Sequence, residues 1–266
     1  MRRLRRIGSI ALLLALCIGA PRNAVGDAIG ITVSPAKFEF SATPGTNYSF
    51  PITVRNNGAG LTHIQASLGD FTVTTSGNYE FQKPGTRPYS IMRWVSIRPR
   101  EFDLKAASAQ QVQFTIVVPH SSSLSGEYAG VVFFQTRPTR GPSRNSFAFA
   151  ARVAAKIYMT IPGTEKVDGA ITKMSSFTTK QGQDYRVLFK NTGNMHVYLR
   201  GSVQVQQNGR TIQQYPMEEG LLVERGGDLM IDLHGKKLSR GTYQAIATID
   251  YGGATETGGE IAFTVK

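Results

Sequence analysis

Cysteine is all but missing: Cys17 is the only one among 266 residues. It falls inside the N-terminal apolar run, so no disulfide framework staples this chain and a hydrophobic core must hold it. Histidine is scarce as well. His63, His120, His196 and His234 stand far apart, without metal-ligand spacing. No G-x-S-x-G elbow, phosphate-cradling loop or H-E-x-x-H occurs. Glu218-Glu219 and Asp250 are the acids that glycoside chemistry would draw on, but only their residue type points that way. The expectation is a protein that is not an enzyme, with no cofactor, no metal and no small-molecule substrate. Charged residues are 18% and hydrophobic ones 41% of the chain, which excludes both a disordered chain and a membrane bundle.

What is present begins with "MRRLRRIGSIALLLALCIGAPRNAVGDA". Four arginines precede an apolar run from Ile10 to Ile18, followed by small residues. That is the layout of a secretory signal peptide, and the run is too short to span a bilayer. Ala24 and Gly26 occupy the small-x-small positions, so residues 1–26 are read as signal and the mature chain as periplasmic. Residues 1–26 carry five arginines and no acid, which leaves 25 bases against 18 acids, a net charge of +7. The bases are scattered and the chain is exported, which argues against nucleic acid as a partner.

Beyond the signal, alternation with a period of two dominates. Phe50, Ile52 and Val54 show it, as do Val112, Phe114, Ile116 and Val118, then Leu229, Ile231 and Leu233, then Ile261, Phe263 and Val265. Half-buried antiparallel strands are expected, arranged as sandwiches or barrels. Asn208-Gly209, between "VQVQQ" and "RTIQQ", marks a two-residue hairpin. "ITVRNNG" (52–58) and "VLFKNTG" (187–193) echo each other, as two similar domains would. Their Asn and Gly are expected to accept left-handed turn angles. Pro162-Gly163 closes the longest strand, so the domains are placed at 27–162 and 163–266.

That longest strand is "SFAFAARVAAKIYMTIPG" (146–163). Every second residue from Phe147 is apolar: Phe147, Phe149, Ala151, Val153, Ala155, Ile157, Met159, Ile161. Its length is about 16 residues, roughly 50 Å, against a usual strand of about five or six. The preceding "RPTRGPSRNS" (137–146) has no apolar residue and reads as an exposed loop. An apolar face of this kind packs into its own sandwich core or, at a sheet edge, is capped by a foreign strand.

Four segments carry a family resemblance: "GITVSPAKFEF" (30–40), "WVSIRPREFDLKAASAQQVQFTI" (94–116), "SGEYAGVVFFQTRP" (125–138) and "ARVAAKIYMTIP" (151–162). They resemble the periplasmic pilus-assembly chaperones of the chaperone–usher pathway. The resemblance implies an all-β chain of two immunoglobulin-like β-sandwich domains. It also implies donor-strand complementation, in which the long strand fills the groove of an exported pilus or fimbrial subunit. Phe147, Phe149, Val153, Ile157, Met159 and Ile161 would be the plugs, and an outer-membrane usher a further partner. Two basic residues would hold the subunit's terminal carboxylate. Lys156 matches the first of them. The position aligned with the second is Pro35, with Lys37 two residues on and on the same face. "FKNTGNMHVYLRGSVQVQQNGR" (189–210) looks like a bacterial immunoglobulin-like module of a type that also serves structural and glycan-binding roles. An envelope structural or glycan-binding protein is therefore the alternative reading. Exposed aromatics clustered away from the long strand, among them Tyr79, Tyr89 or Trp94, would favour it.

Overall fold

The computed structural model describes residues 30–140 and 148–266. The signal-peptide reading of 1–26, residues 141–146 of the arginine-rich loop, and Phe147 lie outside the described residues. Every regular element among the described residues is a strand. The first set is β1 (Ile31–Ser34), β2 (Lys37–Ser41), β3 (Asn47–Asn56), β4 (Thr62–Val73), β5 (Tyr79–Gln82), β6 (Val95–Arg98), β7 (Glu101–Leu104), β8 (Ala109–Val117), β9 (Glu127–Thr136), β10 (Thr139–Arg140), β11 (Ala148–Phe149) and β12 (Arg152–Thr160). The second set is β13 (Gly169–Thr178), β14 (Gln183–Asn191), β15 (Val197–Gln207), β16 (Arg210–Pro216), β17 (Leu221–Val223), β18 (Asp228–His234), β19 (Gly241–Asp250) and β20 (Thr257–Val265).

In the first set β1-β3-β8-β6 form one sheet and β2-β12-β9-β4-β5 the other, with β7 beside β4. The chain changes sheets at Pro35: β1 pairs antiparallel with β3, whereas β2 runs parallel to β12. Proline has no N–H to give a ladder, so a strand that must switch sheets breaks there at little cost. Ile52 and Val54 of β3, Phe114 and Ile116 of β8, and Ile157 and Met159 of β12 are completely buried between the sheets. Burying each such side chain stabilises the fold by about 1.5–3 kcal/mol. Val131 to Phe134 in β9 are buried without alternation, because β9 is a central strand covered on both faces.

In the second set β13-β14-β18 pack on β16-β15-β19-β20, with β17 beside β15. Tyr185, Val187 and Phe189 of β14 meet Val203, Val205, Ala245 and Ala247 in a separate core. Asn208 and Gly209 turn the β15–β16 hairpin with φ of 53° and 76°, left-handed angles that suit these two residues. The fold is thus all-β, with two sandwiches that each have a core, and a third buried cluster in which Phe71, Val131, Phe133 and Tyr158 meet Leu222 of the second sandwich.

The internal echo has a physical basis other than the expected one. Asn56 and Asn191 do not adopt left-handed angles; both are fully buried at the ends of β3 and β14. The Asn56 amide donates to the carbonyls of Gly60 at 2.8 Å and Leu104 at 3.1 Å, and its oxygen accepts from Gly58 N–H at 2.9 Å. The Asn191 amide donates to the carbonyls of Met195 at 2.8 Å and Glu224 at 2.9 Å, and accepts from Gly193 N–H at 2.9 Å. Each asparagine ties a turn to the neighbouring segment. Only an amide side chain offers two donors and an acceptor for this.

Candidate partner-binding site

The expected long strand is interrupted at Ala150-Ala151, leaving β11 and β12 as separate pieces. Along the combined length its apolar face passes from open to closed. Phe149 is 65% exposed, Val153 is half-buried, and Ile157, Met159 and Ile161 are buried. These last three lie in the core of the first sandwich. The cause is local. Over 156–160 β12 is flanked by β2 on one side and β9 on the other. Over 152–155 only β9 pairs with it among the described residues, so the opposite edge carries no strand ladder there, although β1 lies close to β12.

Where that edge becomes paired, the two lysines meet. Lys156 and Lys37 are direct partners in the parallel β12–β2 ladder, so their side chains leave the same face of the sheet. Lys156 Nζ donates to the Tyr79 hydroxyl at 2.8 Å and lies 4.3 Å from the centre of that ring. Lys37 Nζ donates to the Tyr198 hydroxyl at 2.8 Å and pairs with Glu39 Oε1 at 2.8 Å. The hydrogen bonds to Glu39 and then Tyr198 push the Lys37 ammonium up to about 12. Partial burial works against ionisation of Glu39, but the hydrogen bonds from Lys37 and Tyr198 outweigh it and hold the carboxyl below its usual range. Each lysine is held by a tyrosine from another element.

Tyr198 comes from β15, so the second sandwich completes the site. The junction around it is polar. The His196 ring pairs with Glu127 at 2.5 Å through Nδ1 and lies 3.4 Å from Glu39 Oε1 through Nε2. Arg225 donates to the carbonyls of Ser125 at 2.9 Å and Glu127 at 3.1 Å, with its guanidinium 3.3 Å from the centre of the Tyr89 ring. Arg87 pairs with Glu224 at 3.3 Å, and burial pushes the Glu224 carboxyl up. A cleft of about 460 Å³ opens beside the junction, with Glu39, Tyr158, His196, Tyr198 and Arg200 in its wall.

The solvent face of the β2–β5 sheet continues the site away from the lysines. Arg152 lies 3.5 Å from the centre of the Phe133 ring, and Phe81 meets Phe133 edge-on at 5.0 Å. Tyr79 lies beside Phe81, with ring centres 6.5 Å apart. Of the aromatics that would have marked a separate patch, Tyr79 thus belongs to the lysine site and Tyr89 sits under Arg225. Trp94 packs on Tyr128 at 4.7 Å. Glu218-Glu219 and Asp250 line different clefts. Among the described residues no group of His, Cys, Asp or Glu is arranged to hold a metal ion.

The sandwiches and this junction define an all-β protein of two sandwiches whose distinctive surface is a half-open edge strand ending at a lysine pair. No family model matches the chain, and no curated protein matches it. Solved structures similar to it include several chaperone–usher pilus chaperones. One is the class 5 fimbriae chaperone CfaA, at 10% identity over 88% of this chain and 98% of that one, with a TM-score of 0.46. Another is the CsuC–CsuE chaperone–tip adhesion subunit pre-assembly complex from Acinetobacter baumannii, at 11% over 87% and 97%, with a TM-score of 0.45. A third is the Salmonella enterica SafA pilin in complex with the SafB chaperone, at 12% over 89% and 97%, with a TM-score of 0.45.

Sequence reasoning missed Tyr198, Glu39 and Arg152. Tyr198 and Lys37 are joined only by the packing of the two sandwiches, which no local pattern encodes. Glu39 had a signal, since it follows Lys37 by two residues in a strand and so shares its face.

Proposed function

We propose that the protein is a periplasmic chaperone-like binder of exported pilus or fimbrial subunits, acting by strand addition along the open part of its long strand. The partner is of the kind represented by the pilin and tip adhesion subunit in the complexes above, with an outer-membrane usher as a second contact. The domains are those separated at Pro162-Gly163. The observation that carries this reading is the coincidence of an edge unpaired among the described residues at 152–155 with Lys37 and Lys156 at the point where that edge closes. A partner strand would run along the edge, its backbone hydrogen bonds supplying affinity and the pockets for alternate side chains supplying register. Phe149 and Val153 present the apolar face of that segment. The lysine pair stops the strand, because two ammonium groups on one face match a terminal carboxylate and charge-assisted hydrogen bonds are strong.

The test is binding of a short peptide of alternating valine and threonine, with a free carboxyl end and with an amidated one. Tighter binding of the free acid, lost in Lys156→Ala, supports the reading. Equal binding of both peptides by the native protein and the variant refutes it.

A further inference from the structure

The two lysines are not equivalent. Among the described residues, Lys156 Nζ meets the Tyr79 hydroxyl and the face of the same ring and no carboxylate. Lys37 already holds a carboxylate: Glu39 Oε1 lies 2.8 Å from its ammonium and accepts the Tyr198 hydroxyl at 2.9 Å. The Tyr198 oxygen in turn accepts from Lys37 at 2.8 Å, closing a three-membered ring of hydrogen bonds. A carboxylate arriving from outside would seek the same two donors.

We infer that Glu39 is a resident carboxylate that occupies the Lys37 site in the free protein and must leave it before a partner's terminal carboxylate can bind. Glu39 thereby sets the threshold of the site. The inference rests on the lysine-pair reading given above. The released side chain has somewhere to go. His196 Nε2 is 3.4 Å from the same oxygen, and the Glu39 side chain is 39% exposed, so water also reaches it. Exposed ion pairs are weak, so displacement lowers affinity by a factor of about two to five rather than blocking the site. The benefit is discrimination. A small anion must compete with Glu39 on charge alone, whereas a chain end is also held by strand pairing, and specificity is a difference between two affinities.

The experiment measures both peptides, free acid and amide, against the native protein, Glu39→Gln, and Glu218→Gln as a control that removes one exposed acid elsewhere. Glu39→Gln is expected to bind the free acid about two to five times more tightly and the amide unchanged, with Glu218→Gln shifting either by less than about 1.5-fold. Lys37→Ala is then expected to weaken binding more in the Glu39→Gln background than in the native one, since only there is Lys37 unoccupied. Unchanged or weaker binding of the free acid by Glu39→Gln, in protein with native circular dichroism and melting, overturns the inference and makes Glu39 a positioning group for Lys37. Failure of the lysine-pair reading looks different: the native protein then fails to distinguish acid from amide, and the inference falls with it. Should Glu39→Gln misfold, Glu39→Ala with the same readouts replaces it.

Discussion

Replacing Asn191 with alanine removes an amide on which the second sandwich depends. The side chain donates to the carbonyls of Met195, Val223 and Glu224 at 2.8, 3.2 and 2.9 Å and accepts from Gly193 N–H. Its environment is dry, since Asn191 is fully buried. A hydrogen bond contributes about 0.5–1.5 kcal/mol net, and a buried polar group left without a partner costs about 1–3 kcal/mol. Two amide protons are lost and at least one buried carbonyl is stranded, so the expected loss is about 2–4 kcal/mol. For a sandwich of this size that lowers the melting temperature by roughly 10–20 °C. Asn191→Asp should do at least as much harm, because a carboxylate cannot donate and its burial adds a charge penalty.

The assay exploits a fortunate distribution: the chain has one tryptophan, Trp94, and it lies in the first sandwich. Urea unfolding followed by far-ultraviolet circular dichroism reports both sandwiches, and tryptophan fluorescence reports only the first. Asn191→Ala should displace the dichroism transition more than the fluorescence transition, and Asn56→Ala should displace both. A loss below about 1 kcal/mol in either variant would refute the reasoning that these amides are structural clamps.

Four further outcomes are expected. Val153→Asp should lower the melting temperature but leave the protein folded and abolish binding of the alternating peptide, since Val153 packs only partly against the core, whereas Ile157→Asp should prevent folding; equal effects on folding would place both in the core. Lys156→Ala should weaken the free-acid peptide by about tenfold, with melting changed little, as read by fluorescence anisotropy and calorimetry. Gly126→Ala should cost about 1–3 kcal/mol and loosen the junction, because Gly126 has φ of 66° and a Cβ there would meet the Asn194 carbonyl of the second sandwich. Small-angle scattering should then show a larger radius of gyration. Glu39 has a lowered pKa, so its contribution is present above the ordinary carboxylate value of 4.5 and is lost as pH falls through the lower folded value. Lys37 is raised from 10.5 to about 12, so its contribution is complete below 10.5 and lost as pH rises through about 12. The stability difference between native protein and Glu39→Gln should therefore vanish at both extremes.

The strands were legible because alternation reports burial directly. Phe114 and Ile116 face one core, and their polar neighbours face water. The Asn208-Gly209 hairpin was legible because its angles suit few other pairs. Less legible was the fate of the long apolar face. Phe149, Val153, Ile157 and Met159 look alike in sequence, and their exposure is decided by where β2 begins. That is a long-range fact, fixed by Pro35 and the parallel register rather than by anything in the strand itself. Lys37 was found beside Lys156 through the family resemblance, and the parallel ladder supplies the geometry. The tyrosine partners and the resident carboxylate depend on packing between sandwiches and on hydrogen-bond directions, which periodicity does not carry. Asn56 and Asn191 were noticed for the wrong reason, since a short motif shows that a residue recurs but not which of its atoms matters.

The parallel pairing of β2 with β12 joins the opening and closing segments of the first sandwich. Contacts between such remote segments form late, since a long loop must be closed before they are rewarded. A chain made from its N-terminus thus displays Lys37 long before Lys156 exists beside it. Two cations scattered along an unfinished polypeptide cannot grip a chain end. Under the proposed function, the lysine pair is therefore inert toward a partner until the first sandwich is whole, and readiness to bind another chain is a by-product of having finished folding.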